Sequence, residues 1–304
     1  MTGLQRYKLD WQGCLAQPNP IVSAKQLIGK ENQRLKSLFD PQRSPTALLT
    51  DKARFTDALM IAGCRHFMAE SQTDFALIAT GGYGRNELFP HSDIDILVLS
   101  NAEPDQVFQE RLSKFCNFLW DIGLKLGLST RTIQECWQAA RQDQTIYTSL
   151  LEMRLICGNA ALFDQLTTRL SAQLPWTAEK FFAAKLAEQA QRYAKFHDTA
   201  YNLEPNIKEG PGGLRDLQII AWVFKQHYQA ASLRDLIRYD FLPRAELEEL
   251  MAARDVLWRL RFALHLLTNR CEDRLVFDYQ RELAAQFGYL DANEIGRASC
   301  RERV

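Results

Sequence analysis

Two aspartates one residue apart, Asp93 and Asp95, stand at the entrance of an apolar run, Ile94–Leu99. Side chains at i and i+2 of a strand share a face, so both carboxylates point the same way. Upstream, Gly81-Gly82-Tyr83-Gly84 follows, after Thr80, another short apolar run, Phe75–Ala79. Backbone N–H groups of such a loop can approach a phosphate closely, because no Cβ stands in the way. Two hard oxygen ligands beside a phosphate-binding loop are what a Mg²⁺–nucleotide complex requires. Alone, an Asp-x-Asp is a solvated strand end and a Gly-Gly is a turn. The order strand, glycine loop, second strand with the acidic pair at its mouth shifts the reading toward nucleotide chemistry.

A second stretch runs Asn206-Ile207-Lys208-Glu209-Gly210-Pro211-Gly212-Gly213-Leu214-Arg215-Asp216. Gly-Pro-Gly-Gly punctuates strongly and helical periodicity restarts at Leu214, which describes a turn joining two helices. Lys208 before the glycines and Arg215 after them, at a helix start, also suit a phosphate or an acidic loop. For Arg85, Lys208 and Arg215 alike, phosphate contact and structural ion pair stand as alternatives. No residue is singled out as the general base that an acceptor hydroxyl needs.

The elements that must position these residues follow from the apolar spacing. Ser23–Phe39 has the pattern of a solvated helix with a narrow apolar edge. From Asp51 to Glu70, capped by Thr50 or Asp51, Phe55, Leu59, Ala62 and Phe67 predict a helix packed on the sheet that bears the acidic pair. Pro104-Asp105 opens another helix, with Leu112, Phe115, Leu119 and Ile122 inward and Gly123 as its stop. Leu124–Thr132 alternates like a third strand. From Ile133 onward the patterns are helical, apart from the loop around Pro205–Gly213. Ile146–Cys157 is apolar nearly all round and therefore buried, Ala178–Tyr201 forms one long helix, and Trp258, Phe262 and Leu266 mark a later one.

The whole chain sets bounds. Its 304 residues suit about two domains. Lysine plus arginine, 37, equals aspartate plus glutamate, 37, so no net field favours a polyanion, which counts against a nucleic-acid polymerase. The seven cysteines form no Cys-x-x-Cys pair and fit small buried hydrophobes of a reducing compartment. No run is apolar and long enough to span a membrane, and no signal peptide opens the chain.

The string Gly-Gly-Tyr-Gly-Arg-Asn-Glu-Leu-Phe-Pro-His-Ser-Asp-Ile-Asp, followed by Asn-x-Lys-Glu-Gly-Pro-Gly-Gly-Leu-Arg-Asp, resembles the bacterial PII uridylyltransferase/uridylyl-removing enzymes of the nucleotidyltransferase superfamily. The resemblance covers residues 50–293. It implies an α+β fold: an N-terminal helical segment (1–49), a nucleotidyltransferase core of a small mixed sheet with packed helices (50–140), and an all-helical domain (141–293). It implies transfer of UMP from UTP, with Mg²⁺, to a tyrosine hydroxyl of the PII signalling protein in the cytoplasm, with no nucleic-acid or membrane partner. Asp93 and Asp95 would be the catalytic and metal-binding residues; Gly81, Gly82, Arg85, Ser92, Lys208 and Arg215 would bind nucleotide. Two rivals are adenylyl transfer onto glutamine synthetase, whose enzyme shares the acidic pair, and a non-catalytic nucleotide-binding module.

The chain departs from the family pattern in three places. Asn86 replaces a usual glycine, and asparagine tolerates left-handed backbone. Gly127-Leu128-Ser129 replaces Gly-His-Ser. The superfamily's third acidic residue is missing from Leu124–Thr132, leaving Asp121 and Glu135 as flanking candidates. His197-Asp198 matches a phosphohydrolase dipeptide, but five histidines in all leave too few partners for that site, so a surface pair is expected. Residues 294–304 abandon the apolar pattern and resemble a translated sequencing adapter, so the natural chain is expected to continue into hydrolase and ACT domains.

Overall fold

In the computed structural model, which describes residues 10–68, 75–196, 202–228 and 241–289, the apolar runs flanking the glycines pair as antiparallel strands, β1 (Phe75–Ala79) and β2 (Ile94–Ser100). Both runs are apolar at consecutive positions because both faces of the sheet are covered. Phe75, Leu77 and Ala79 join Ile94, Ile96 and Val98 in one hydrophobic cluster. Ala76, Ile78, Leu97 and Leu99 enter another on the opposite face. Period-two alternation thus sorts each run between two cores. Full burial of a side chain such as Leu97 contributes about 1.5–3 kcal/mol.

β3 (Leu126–Thr132) lies parallel to β2, and β4 (Arg154–Gly158) lies antiparallel to β1, giving the order β3-β2-β1-β4. This small mixed sheet among helices is the expected α+β class. β3 is an edge strand, and its Leu128 is 37% exposed, so the leucine alternation marks a half-covered face. β4 corrects the helical reading of everything after Ile133. The apolar segment Ile146–Cys157 holds two elements, most of a helix and a half-buried edge strand, so it is not buried throughout, and an apolar run alone does not distinguish the two.

The chain enters through α1 (Trp11–Leu15) and α2 (Pro20–Leu38), followed by α3 (Thr46–Phe67). α3 begins earlier than expected, and neither Thr50 nor Asp51 caps it. The Thr50 hydroxyl donates to the Thr46 carbonyl, and Asp51 accepts from Arg34 of α2. After the single turn α4 (Gly81–Gly84), α5 (Gln106–Asp121) is capped by Asp105, whose carboxylate accepts from the Phe108 N–H at 2.8 Å. α3 and α5 cover the first face of the sheet through Phe55, Leu59, Phe115 and Leu119.

On the other face lie α6 (Ile133–Gln142), α7 (Gln144–Leu151), α8 (Ala160–Ala172), α9 (Ala178–Ala194) and α10 (Leu214–Tyr228), which supply Cys136, Tyr147, Leu166, Phe181 and Trp222 to its core. α9 ends at Ala194, short of the predicted Tyr201; His197-Asp198 and residues 290–304 lie outside the described residues. α11 (Arg244–Thr268) carries the predicted Trp258 and Phe262, and α12 (Phe277–Gln286) follows. A third cluster joins Leu35, Leu49 and Phe89 to Leu214, Trp258 and Phe262, and so ties the sheet-bearing part to the later helices. Among the described residues no helix is long and apolar enough to cross a membrane.

Candidate active site

The register of β2 decides where the acids point. Asp95 shares its face with Leu97 and Leu99, the face that meets α6 to α10, and lies at the strand's start, where the apolar cover ends. Opposite it on β3 stands Gly127, where an added Cβ would fall 2.2 Å from Asp95 Oδ1. At Gly81, with φ of +56°, a Cβ would fall 3.0 Å from Asp95 Oδ2. Both glycines thus leave room for one carboxylate, Gly81 also by adopting left-handed backbone that a side chain disfavours. Burial and the neighbouring charge of Asp93 raise the Asp95 pKa above its ordinary value, while Lys208 and Arg85 oppose the shift.

The glycine stretch is a helical turn where the sequence predicts a loop. Tyr83 is buried and anchors it: its hydroxyl donates to Asp57 at 2.7 Å, and Asp57 also accepts from Arg154. Gly81 and Gly82 face a cleft of about 280 Å³ that also receives Asp93, Asp95 and Ser92. Their N–H groups belong to a first turn, where no intrahelical acceptor is available. Asn86 has φ of +60°, the left-handed geometry that its side chain tolerates.

All eight sequence-predicted site residues line this one cleft, including Lys208 and Arg215 from beyond the sheet. Their commitments differ. Arg85 donates through Nε to Glu87 at 2.7 Å and through Nη1 to Glu152 at 2.6 Å. Burial works against its charge, but these two carboxylates outweigh it and raise its pKa further. Its remaining amino group lies beside Gly82, where a Cβ would stand 3.7 Å from Nη2. Arg215 pairs with Glu209 at 2.8 Å and donates to Gln218 at 2.8 Å, so the ion-pair reading describes it well. Lys208 makes a loose 3.9 Å pair with Glu209 and is the cation nearest to freedom among these three. Ser92 accepts through Oγ from the Phe89 N–H at 3.2 Å, closing the turn before Asp93.

Neither flanking acid joins the pair. Glu135 is occupied in a capping box with Thr132, at the far end of β3 from Gly127. Asp121 sits exposed at the end of α5. Among the described residues no three His, Cys, Asp or Glu side chains converge as a metal site. Two carboxylates are nonetheless the donor set that fits Mg²⁺ held jointly with substrate phosphates, since this ion keeps waters and takes few protein ligands. The Asp93–Asp95 repulsion that a dication would relieve fits as well.

The sequence reading missed Glu152, Lys185, Trp222 and Arg261, which also line the cleft. Trp222 donates from its indole to Glu152, and the Lys185 ammonium stands 4.8 Å over the Trp222 ring. A signal was present. Glu152 interrupts an apolar run, and Lys185 and Arg261 occupy buried helix positions, where an unpaired charge is costly.

Comparison with known proteins gives two family matches. The nucleotidyltransferase domain family matches residues 61–151, and the GlnD PII-uridylyltransferase family matches residues 180–301. The second match runs into residues 294–304 and does not set them apart from the rest. A bifunctional uridylyltransferase/uridylyl-removing enzyme of Methylococcus capsulatus is 48% identical over 269 residues, 88% of this chain and 31% of the relative. The enzyme so named from Nitrosococcus oceani is 46% identical over 90% of this chain and 30% of its own length. That of Pseudomonas aeruginosa is 41% identical, with the same coverages. The chain therefore spans under a third of the length of these curated relatives.

Proposed function

The chain belongs to the nucleotidyltransferases, on the branch of the bifunctional uridylyltransferase/uridylyl-removing enzymes, and from that membership we propose that it transfers UMP from UTP to a tyrosine hydroxyl of PII in the cytoplasm. One observation carries the proposal. Asp93, Asp95 and the Gly81-Gly82 turn, from the nucleotidyltransferase match, line the same cleft as Lys208 and Arg215, from the PII-uridylyltransferase match. We divide the chain into an entry segment that ends before α3, so at residue 45 in place of 49, a core that includes β4 and so ends at residue 158 in place of 140, and helices beyond.

In this reading Asp93 and Asp95 hold Mg²⁺, which when bound neutralises charge on the triphosphate. The Gly81 and Gly82 N–H groups and the Lys208 ammonium face the β- and γ-phosphates, and the Arg85 Nη2 beside Gly82 adds a further donor. The acceptor oxygen bonds to the α-phosphorus as the bond to pyrophosphate breaks, and the hydroxyl proton leaves to solvent. Fixed donors around the leaving group stabilise the charge that grows there. Arg85 is held from behind by Glu87 and Glu152, which keeps its free face oriented.

The test is label transfer. With α-labelled UTP, PII and Mg²⁺, label is expected on a PII tyrosine and pyrophosphate in solution. Label passing instead from ATP to glutamine synthetase would replace the proposal with adenylyl transfer. Nucleotide binding with no transfer to either acceptor would leave a binding module.

A further inference from the structure

The turn that delivers Asp93 is gripped from α11 by side chains with no part in the proposed chemistry. His265 of α11 is fully buried, and its Nδ1 accepts from the His91 N–H at 3.4 Å. An accepting Nδ1 places the proton on Nε2, which faces Asp273 Oδ1 at 3.5 Å. Asp273 accepts from Arg261 Nε at 2.7 Å, and the Arg261 guanidinium lies 4.2 Å over the ring of Phe89, the first residue of the turn. The backbone of Asp273 reaches the other side of the cleft: its carbonyl accepts from the Ile207 N–H at 2.8 Å, one residue before Lys208. A bridge between Asn206 and Arg274 continues that link. One short segment thus holds both the turn bearing the acids and the loop bearing the cleft's lysine.

We propose that His265, oriented by Asp273, is a positioning residue that fixes the Phe89–Asp93 turn and thereby the separation of the acid pair from Lys208. The inference rests on the reading that Asp93 and Asp95 hold the metal. A buried imidazole is expensive as an apolar filler, since it brings two polar nitrogens into the core. Here one nitrogen is satisfied by the backbone of the turn and the other faces a carboxylate that Arg261 holds in place. The imidazole thus stands between the carboxylate, which Nε2 approaches without a hydrogen bond, and the backbone N–H of His91, two residues before the first acid. Partners of this kind set the orientation of metal ligands that they do not themselves include.

The experiment measures Mn²⁺ binding to the 304-residue chain by paramagnetic resonance, alongside thermal melts and the Mg²⁺ concentration that half-activates transfer. His265→Leu removes the acceptor. His265→Asn sets an oxygen near the position of Nδ1, while His265→Gln sets one near Nε2. We expect His265→Leu and His265→Gln to weaken Mn²⁺ binding by about tenfold or more, with His265→Asn close to wild type. Half-activating Mg²⁺ should rise in the same order. A folded His265→Leu that binds Mn²⁺ as wild type does, or His265→Asn as weak as His265→Leu, would overturn the inference. If His265→Leu fails to fold, the comparison of Gln with Asn decides. Asp95→Asn separates the two claims: unchanged Mn²⁺ binding in that variant would remove the metal-site reading, and the inference with it.

Discussion

At the scale of residues the site depends on two glycines as much as on two acids. Gly127 faces Asp95 across β3, and an alanine methyl would overlap its carboxylate. Gly127→Ala is therefore expected to cut transfer by at least tenfold, through a misplaced ligand, while the edge strand keeps its fold. Transfer rates with circular dichroism check this, and an active Gly127→Ala would mean that Asp95 does not act from the observed position. This dependence was not legible in the sequence, where Gly127 registered only beside a replaced histidine. The acids stood out in the sequence because Asp-x-Asp at a strand mouth follows a glycine turn, and both features line the cleft. The standing of Arg85 and Arg215 was not, since spacing along a chain does not show that Glu152 waits 67 residues further on.

Elements show the same division between local and distant causes. β1, β2, α5 and α10 begin close to where apolar runs and capping residues place them, because those signals are local. β4 and the true start of α3 were hidden, the first inside an apolar run and the second because Asp51 is used by Arg34 of α2. The α2–α3 contact also buries Lys52, whose ammonium donates to Asn32 at 3.0 Å. Burial pulls its pKa down to about 8, against a partial recovery from Glu31. A lysine whose folded pKa is depressed favours folding above its unfolded pKa of about 10.4, and that contribution fades as pH falls through about 8. Lys52→Met should therefore gain stability relative to wild type near pH 7 and lose that advantage as pH rises toward 10. Melts of both proteins across that range measure the difference, and a difference independent of pH would show Lys52 to be solvated. In the sheet, Leu97→Ala should cost about 2–5 kcal/mol by leaving a cavity in the second core, read from denaturant midpoints.

For the whole molecule, two stretches far apart in sequence close one cleft, and a third hydrophobic cluster with the Asp273 segment holds them in register. That convergence was foreshadowed by two glycine-bearing motifs, the first of which contains Phe89, but Arg261 and His265, which help to enforce it, sit on a helix outside both motifs. The relatives are named for two opposed activities, and this chain spans under a third of their length. Whether the Asp93–Asp95 cleft transfers UMP is decided by label transfer from α-labelled UTP to PII, with wild type beside Asp93→Asn and Asp95→Asn. Labelled PII is expected from wild type and loss of transfer from both folded variants, whereas a rate within about tenfold of wild type in either variant, only about 1.4 kcal/mol of barrier, would rule the acid pair out as the catalytic site.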